Sequence, residues 1–521
     1  MIAAPQPLFA DVLRLNGRWR GSQPAFTCGV TTLNWAEFDR RTERVANALV
    51  ALDIPQDASV AIVMNNGLEM VEVIFGALKA GVCIAPLNLS VPDAALATMI
   101  RDAGAHALFA TPAQRGRLDA LRSELTPIPA AGWICVDGGA GWSDYEEWRD
   151  AADSRRCPIN PDPDSPINII YSSGTTGLPK GIVHSQRRRI EWTYDLTTVL
   201  RFHSSAVTIC PIGLFSNISL AALLCTCLTG GRAIVMEHFT PHDFIQEVER
   251  HGCTHVVMVP LQFQLVIEDP AFTREAMRSM RHMCTVGSPM HVGLKQRVGR
   301  EFGAELIELY GLTEGILTTL DPEYVESKAA SVGKPVPGTD LRIIDDAGRE
   351  VPAGMSGEVV GWSRFVMSEY HNRRDATSET LWHDELGRPW LRTGDIGRLD
   401  EDGFLYIVDR KKDMILSGGQ NIYPADIEAV LKTHPAVLDC GVIGIPHEKW
   451  GETPLGLVLL RPGHEDADPE GLRAWANERL GKQQRLAGVE FREKLPRNPN
   501  GKLLKRELRK TYWESPPAGN V

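Results

Sequence analysis

Residues 171–181 read Tyr-Ser-Ser-Gly-Thr-Thr-Gly-Leu-Pro-Lys-Gly and follow an apolar run, 167–171, that predicts a short buried strand. Glycines and small hydroxyl side chains let the backbone approach an anion, and the lysine adds positive charge. The stretch therefore predicts a phosphate-binding loop at the end of a strand. A flexible surface loop is the alternative, because Ser, Thr, Gly and Pro are ordinary loop residues. The predicted phosphate contacts are Ser172, Ser173, Gly174, Thr175, Thr176, Gly177 and Lys180.

This loop differs from a Walker A loop. Only two residues separate Gly174 from Gly177, and Lys180 is followed by glycine instead of Ser or Thr. A P-loop nucleotide triphosphatase is therefore not indicated.

The pattern of apolar residues predicts an α/β fold. Strand-like runs alternate with helical patterns through about the first 340 residues, as in the strand 60–64 and the helix 68–80. Beyond residue 330, Gly and Pro become denser and short strand-like runs dominate, which predicts a smaller β-rich lobe. From residue 413 onward the pattern predicts a compact α+β unit. A chain of 521 residues is too long for one core, so at least two domains are expected.

The overall charge argues against a nucleic-acid partner. The formal net charge is −11, whereas nucleic-acid binding usually needs a basic face. The densest basic run, Arg187-Arg188-Arg189, predicts a solvated helix face, and a role near an acidic ligand is the alternative.

The sequence predicts a cytoplasmic protein without a membrane span. Its longest apolar stretch, 218–228, is too short to cross a bilayer, and the first residues show no secretory signal pattern. Ten scattered cysteines contain no Cys-x-x-Cys pair, so a cysteine zinc site is not indicated. A reducing compartment fits this usage, and a homodimer is left open.

Further motifs follow the first in a fixed order. They are Tyr310-Gly311-Leu312-Thr313-Glu314, Thr393-Gly394-Asp395, Val408-Asp409-Arg410-Lys411-Lys412-Asp413, Ser417-Gly418-Gly419-Gln420-Asn421 and Pro499-Asn500-Gly501-Lys502. Together with residues 171–181 they resemble the motifs of the adenylate-forming enzymes. That superfamily contains acyl-CoA and aryl-CoA synthetases, luciferases and peptide-synthetase adenylation domains. The resemblance is greatest to the acid–CoA ligases, and it covers nearly the whole chain.

The resemblance implies a fold and a division into domains. It implies a large N-terminal domain of stacked α/β layers with a β-rich lobe, residues 1–411, which binds ATP and the acid. A small, mobile α+β C-terminal domain, residues 412–521, would carry a catalytic lysine and part of the coenzyme A site. Lys412 would be the hinge between them.

The resemblance also implies roles in adenylation, in which a carboxylate attacks the α-phosphate of ATP. Thr313 would donate to the α-phosphate, Glu314 would hold Mg²⁺, and Lys502 would bridge the α-phosphate and the substrate carboxylate. The residues implied around adenine and ribose are Gly287, Ser288, Pro289, Tyr310, Gly311, Asp395 and Arg410. The alternatives are a surface carboxylate for Glu314, a simple turn at 393–395 and a solvated lysine at 502.

The second half-reaction would use the C-terminal domain and coenzyme A. Rotation about Lys412 would bring Gly418 and Gly419 to line the tunnel for the pantetheine arm. Trp450 could stack on the adenine of coenzyme A or pack in the core, and the sequence leaves both open.

Two segments depart from the family pattern. Many members carry a histidine where this chain has Leu214, and an aromatic residue and a proline where it has Gln483 and Leu486. These departures put the gating of the acyl pocket and a standard coenzyme A clamp in doubt.

The acid pocket is expected to be mostly apolar. Its predicted residues are Trp192, Leu214, Asn217, Met258, Gly311 and Gly315. This lining predicts a medium-chain, alicyclic or aromatic monocarboxylate, as in fatty-acid or aromatic-acid metabolism. Two alternatives are an adenylating enzyme that passes the acyl group to a carrier-protein thiol or an amine, and a catalytically silent binding protein.

Overall fold

The chain forms two compact units in a computed structural model that describes residues 7–55, 58–125, 128–171, 180–418, 420–497 and 502–513. The first unit comprises Met1–Asp340 and Trp362–Leu381, and the second comprises Leu341–Gly361 and Trp382–Val521.

Fifteen α-helices are found within the described residues. They are α1 (Phe9–Trp19), α2 (Trp35–Ala51), α3 (Leu68–Ala80), α4 (Asp93–Asp102), α5 (Pro112–Leu121), α6 (Tyr145–Asp150), α7 (Gln186–Val199), α8 (Asn217–Thr229), α9 (Pro241–His251), α10 (Pro260–Glu268), α11 (Val292–Phe302), α12 (Arg374–Glu379), α13 (Pro424–Leu431), α14 (Pro469–Asn477) and α15 (Lys505–Trp513).

The same residues contain 27 β-strands. They are β1 (Pro24–Cys28), β2 (Thr31–Asn34), β3 (Ser59–Val63), β4 (Cys83–Pro86), β5 (Ala105–Ala110), β6 (Trp133–Cys135), β7 (Ser143–Asp144), β8 (Pro166–Tyr171), β9 (Gly181–Ser185), β10 (Val207–Cys210), β11 (Arg232–Val235), β12 (His255–Met258), β13 (His282–Val286), β14 (Glu305–Gly311), β15 (Leu317–Leu320), β16 (Lys334–Pro335), β17 (Thr339–Ile344), β18 (Gly357–Ser363), β19 (Glu369–Tyr370), β20 (Leu381–His383), β21 (Pro389–Leu399), β22 (Leu405–Arg410), β23 (Ile415–Ser417), β24 (Gln420–Ile422), β25 (Val437–His447), β26 (Gly451–Leu460) and β27 (Gly488–Phe491).

The first unit is built on two large sheets. One has the strand order β16-β15-β14-β13-β12-β10-β11-β1-β2, and its strands from β14 to β1 run parallel. The other has the order β19-β9-β8-β4-β3-β5-β6-β7, and its strands from β8 to β7 run parallel. The parallel strands read as apolar runs because helices cover both faces of such sheets.

Apolar helices fill the layer shared by these two sheets. One core cluster contains Val60 of β3, Phe75 of α3 and Ile307 of β14, together with most of the apolar residues of α8. The run 218–228 is therefore apolar because α8 is surrounded by core. No described helix is both long enough and apolar enough to cross a bilayer.

The second unit contains two five-stranded sheets. In one, β17-β18-β21-β20 are neighbours and β22 pairs with β21, which is the β-rich lobe that the sequence predicted. In the other, β24-β23-β26-β25 are neighbours and β27 pairs with β26. Helices α13 and α14 pack on this second sheet around Ile427, Leu431 and Leu472, which gives the predicted α+β arrangement.

Candidate active site

Two of the predicted nucleotide motifs lie side by side at one edge of the nine-stranded sheet. Gly287 follows β13, and Tyr310 lies near the end of β14; these strands are parallel neighbours, with Val286 opposite Leu309. Gly287 has φ +95°, a conformation that favours glycine. Ligands of open α/β sheets bind at the carboxyl ends of the strands, which is where both motifs are found.

A tight turn between β14 and β15 presents Thr313 and Glu314. The Leu312 amide donates to the Ile316 carbonyl at 3.1 Å, and the Gly315 amide donates to the Leu312 carbonyl at 3.0 Å. Gly315 has φ +111°, and a Cβ there would lie 2.6 Å from the Phe365 carbonyl oxygen. The turn therefore requires glycine at position 315.

Lys180 and Glu314 converge on one aromatic side chain, Tyr370. The Tyr370 hydroxyl donates to Glu314 Oε1 at 2.8 Å, and the Lys180 ammonium lies 4.6 Å from the centre of the Tyr370 ring. Burial, and then the nearby Glu314 charge, raise the pKa of Tyr370, so its hydroxyl remains a donor. The predicted loop contacts at 172–177 lie outside the described residues.

Tyr370 was not predicted from the sequence. It lies on β19, a two-residue strand that pairs with β9, and 56 residues separate it from Glu314. No motif spacing connects positions so far apart, so only the fold brings them together.

Glu314 suits a magnesium ion by its chemistry. Its Oε1 accepts from Tyr370, and no other hydrogen bond to this carboxylate is found among the described residues. Mg²⁺ prefers oxygen ligands and usually takes one or two carboxylates together with phosphate oxygens. Glu314 therefore fits the predicted role, and phosphate would supply further ligands.

A buried histidine supports the backbone of Thr313. Arg189 donates to Nδ1 of His184 at 2.9 Å, so the ring proton is placed on Nε2, which donates to the Thr313 carbonyl at 2.8 Å. Burial, and then the Arg189 charge, hold the pKa of His184 well below its usual value. The ring is therefore neutral, as this bonding pattern requires.

Arg189 joins this histidine to the predicted acid pocket. Its Nε donates to Asn168 Oδ1 at 3.0 Å, its Nη1 donates to Asn217 Oδ1 at 2.9 Å, and its guanidinium lies 4.6 Å from the centre of the Trp192 ring. Two predicted pocket residues, Trp192 and Asn217, thus meet at one cation.

The prediction of a solvated face at 187–189 is wrong for Arg189, which is only 2% exposed. Its hydrogen-bond partners are all neutral, and no carboxylate within the described part of the chain pairs with it. Burial accordingly lowers its pKa to about 9. Composition alone could not reveal this, because Arg187 on the same helix is only partly buried and pairs with Asp164.

The remaining pocket residues divide between two cores. Leu214 is fully buried in the same cluster as Trp192, and its amide donates to Asn66 Oδ1 at 2.8 Å. Met258 is fully buried in another cluster with Phe244. Met258 therefore lies in a different hydrophobic core from Leu214 and Trp192.

In the second unit, the predicted ribose residues form an ion pair. Asp395 on β21 lies opposite Arg410 on β22, and Arg410 Nε lies 2.6 Å from Asp395 Oδ1. The Thr393 hydroxyl fixes this part of β21 by accepting from the Asp395 amide at 3.1 Å and donating to the Val359 carbonyl at 2.7 Å. The carboxylate of Asp395 is thus buried and fixed in place.

Lys502 belongs to this group of charges. Loss of water contact, and then the Arg410 and Lys412 charges, lower the pKa of Lys502 to about 8, while Asp395 and Asp413 act in the opposite direction. Lys502 is therefore not a fully solvated lysine. The pKa of Lys412 is also lowered to about 8, first by loss of water contact and then by Arg410.

Two predicted coenzyme A residues are in contact. Gly418 has φ +57°, its amide donates to the Trp450 carbonyl at 2.8 Å, and a Cβ there would lie 2.8 Å from the indole ring. Trp450 is 47% exposed, which excludes the alternative that it packs in the core. Gly419 lies outside the described residues.

One departure from the family pattern has a local explanation. Leu486 stands where the family has proline, and its amide donates to Asn477 Oδ1 at 2.7 Å, while Asn477 Nδ2 donates back to the Leu486 carbonyl at 3.1 Å. Proline has no amide hydrogen and could not form the first of these bonds.

Comparison with known proteins identifies the family. Residues 15–371 match the AMP-binding enzyme family, and residues 426–502 match the AMP-binding enzyme C-terminal domain. The chain therefore belongs to the AMP-binding enzymes, and the predicted class of AMP-forming acid–thiol ligase is confirmed.

Individual relatives differ in their acyl acceptors. The chain is 33% identical over 493 residues to a feruloyl-CoA synthase of Amycolatopsis sp., covering 93% of this chain and 95% of that one. It is 30% identical over 504 residues to a fatty acid–[acyl-carrier-protein] ligase, ScoC, of Streptomyces coeruleorubidus, covering 94% of this chain and 93% of that one. Its structure resembles ATP-bound MatB from Rhodopseudomonas palustris with a TM-score of 0.86 at 25% identity, covering 96% of this chain and 99% of that one.

Proposed function

We propose that this enzyme is an ATP-dependent carboxylic acid–CoA ligase that works in two half-reactions. In the first, a carboxylate oxygen attacks the α-phosphorus of ATP, pyrophosphate leaves, and an acyl-adenylate forms. In the second, the coenzyme A sulfur attacks the acyl carbon, the bond to AMP breaks, and a thioester forms. The observation that carries the proposal is the grouping of Asp395, Arg410 and Lys502.

In the first half-reaction, the proposed roles follow the charges. The phosphate loop, with Lys180, binds the β- and γ-phosphates, and Glu314 holds Mg²⁺. Asp395 accepts from the ribose hydroxyls, since its ion pair with Arg410 orients the carboxylate. Lys502 stabilises the charge that develops between the carboxylate and the α-phosphate.

The proposed acceptor is coenzyme A, and the contact of Gly418 with Trp450 favours it. An exposed indole beside a turn that requires glycine offers a flat face for an adenine ring. A carrier-protein thiol is the second candidate, because a relative at 30% identity is named as an acyl-carrier-protein ligase. An amine acceptor remains a further alternative.

The proposed substrate is a medium-chain, alicyclic or aromatic monocarboxylate. Leu214 and Trp192 supply apolar surface, and Leu214 replaces the histidine that many members carry. A panel of such acids, assayed for acid-dependent ATP–pyrophosphate exchange, tests this. Exchange only with amino acids would contradict the proposal.

The acceptor is tested by separating the half-reactions with a hinge variant, Lys412→Pro. Proline fixes φ near about −65°, and domain rotation concentrates its dihedral change in one or two residues. Pyrophosphate exchange should survive in the variant, and thioester formation from acyl-adenylate and coenzyme A should fall strongly. Lys412→Ala, which removes the same side chain without fixing φ, is the matched control for loss of the lysine.

Each outcome of this experiment is decisive. If Lys412→Pro makes thioester at the wild-type rate, rotation about Lys412 is not needed. If wild-type enzyme transfers acyl groups to an acyl-carrier protein but not to coenzyme A, the second candidate replaces the first.

We also propose a cytoplasmic location. All ten cysteines are unpaired, and nine of them are buried, as expected of thiols in a reducing compartment. Fractionation of cells that produce the enzyme tests this directly.

A further inference from the structure

Three adjacent strands of the nine-stranded sheet begin with residues that can bind or support a metal ion. β12 begins at His255, β13 at His282 and β14 at Glu305, and these residues are register partners across the sheet. They lie at the amino-terminal edge of the parallel strands. The nucleotide motifs lie at the opposite, carboxyl-terminal edge, so adenylation does not use this group.

A third histidine completes the group. His203, in the turn before β10, makes an edge contact with the ring of His255 at 5.3 Å, and the ring of His255 lies 4.9 Å from that of His282. One ring nitrogen from each histidine lies within 4.8 Å of the others. Tetrahedral zinc with nitrogen ligands at about 2.1 Å needs roughly 3.4 Å between nitrogens, so binding requires the exposed His203 and the half-buried His282 to rotate toward His255.

Each ring is oriented by a hydrogen bond at Nδ1. His282 Nδ1 lies 2.9 Å from Glu305 Oε2, His203 Nδ1 lies 2.9 Å from the Ser205 hydroxyl, and His255 Nδ1 lies 2.8 Å from the Thr254 hydroxyl. Histidines that bind metals use one nitrogen for the ion and bond the other to a carboxylate, carbonyl or similar group.

The Nε2 atoms of these rings are the candidate ligands. No hydrogen bond to Nε2 of His203 or His282 is found in the part of the chain that the structure describes. His255 Nε2 lies 3.1 Å from the Arg201 carbonyl, a contact that metal binding would replace.

The surroundings favour a cation. Arg201 is the only cation paired with Glu305 and Glu323 within the described ranges, so two carboxylates face one guanidinium.

We propose that His203, His255 and His282 bind one divalent transition metal of the zinc type through three imidazole nitrogens, with water as a fourth ligand. Three nitrogen ligands suit Zn²⁺ and neighbouring ions better than Mg²⁺, which prefers oxygen. Because the site holds the starts of β12 and β13 and the turn before β10, its ion connects three segments of the sheet. Binding of the ion to the folded chain should therefore stabilise it.

The test is metal binding to the full-length, untagged enzyme after treatment with a chelator. Equilibrium dialysis against Zn²⁺, with Mg²⁺ in excess, should give saturable binding of one ion per chain. His203→Asn, which changes an exposed ligand, should weaken binding at least tenfold. Glu305→Gln, which changes the support of His282, should weaken it by about 10- to 100-fold.

Three further measurements distinguish loss of this site from nonspecific binding and from misfolding. The matched control is His242→Asn, an exposed histidine that also lies near a carboxylate, that of Asp269, and it should bind Zn²⁺ as the wild type does. Pyrophosphate exchange should be retained by His203→Asn, which shows that the variant is folded. Zn²⁺ should raise the melting temperature of the wild type but not that of His203→Asn.

The proposal is overturned by any of three results. These are the absence of saturable binding by the wild type, unchanged binding by His203→Asn, and an equal loss of binding in His242→Asn. Electron paramagnetic resonance of bound Cu²⁺ gives an independent reading, because three imidazoles produce nitrogen hyperfine coupling. A spectrum with oxygen ligands alone also overturns the proposal.

Discussion

The rate of adenylation should fall as the pH rises through about 8, because the charge of Lys502 is lost there. Loss of water contact and the neighbouring Arg410 guanidinium lower the pKa of this lysine from its usual value to about 8. The proposed role needs the protonated ammonium. The active form therefore dominates below this pH and is depleted above it.

The size of the effect follows from the titration curve. With a pKa of about 8, roughly nine-tenths of Lys502 is protonated at pH 7 and roughly one-tenth at pH 9. The kcat/KM for ATP, which reports on the free enzyme, should therefore fall about tenfold between these values.

The assay is ATP–pyrophosphate exchange from pH 6.5 to pH 9.5, with Mg²⁺ and acid held constant. Lys502→Arg carries a charge that persists throughout this range, so whatever activity it keeps should show no alkaline decline. Lys502→Ala should lose about 10²- to 10³-fold in adenylation yet still convert preformed acyl-adenylate to thioester.

Lys412→Arg serves as the control, because the pKa of Lys412 is also lowered to about 8. This variant should keep the alkaline decline. A flat wild-type profile, or a decline that persists in Lys502→Arg and vanishes in Lys412→Arg, would refute the assignment.

Three more substitutions test other parts of the site. Asp395→Ala should raise the KM for ATP by about 10- to 100-fold, since hydrogen bonds to charged groups contribute about 1.5–3 kcal/mol; unchanged ATP kinetics would leave residues 393–395 with only a structural role in β21. Tyr370→Phe removes the 2.8 Å hydrogen bond to Glu314 and should raise the Mg²⁺ concentration for half-maximal exchange several-fold; an unchanged Mg²⁺ dependence would show that Tyr370 does not contribute to metal binding. Arg189→Leu removes the hydrogen bonds to Asn168, Asn217 and His184 and should lower the free energy of unfolding by about 2–4 kcal/mol in urea titrations; a loss below about 0.5 kcal/mol, or one equalled by Arg187→Leu, would contradict the network.

Local patterns predicted the elements of the fold well. The helix predicted at 68–80 is α3, and the strand predicted at 167–171 is β8 extended by one residue. Periodicity is a local property, and these segments are apolar because the sheets and helices bury them. The motif order then indicated the family.

Contacts between segments that are far apart in the chain were harder to predict from the sequence. The pairing of Asp395 with Arg410 follows from a hairpin, so two motifs close in sequence meet as expected. Tyr370 reaches Glu314 only because β19 adds to the edge of another sheet. Arg189 is buried because its helix turns it toward Asn168 and Asn217, whereas its neighbours in sequence lie on other faces of that helix.

Because β19 comes late in the sequence, the eight-stranded sheet gains its last edge strand late in translation. The ribosome makes the segment Leu341–Gly361, which belongs to the second unit, before it makes β19. The eight-stranded sheet of the first unit is therefore completed only when β19 pairs with β9. Tyr370, the hydrogen-bond partner of Glu314, lies 56 residues downstream. The ribosome therefore adds it about 3–11 s after Glu314, at roughly 5–20 residues per second. During that interval β9 is an open strand edge that can pair with another nascent chain. Truncated products that end before Tyr370 should consequently aggregate more than the full chain does, and slower translation across 341–370 should lengthen the period of risk.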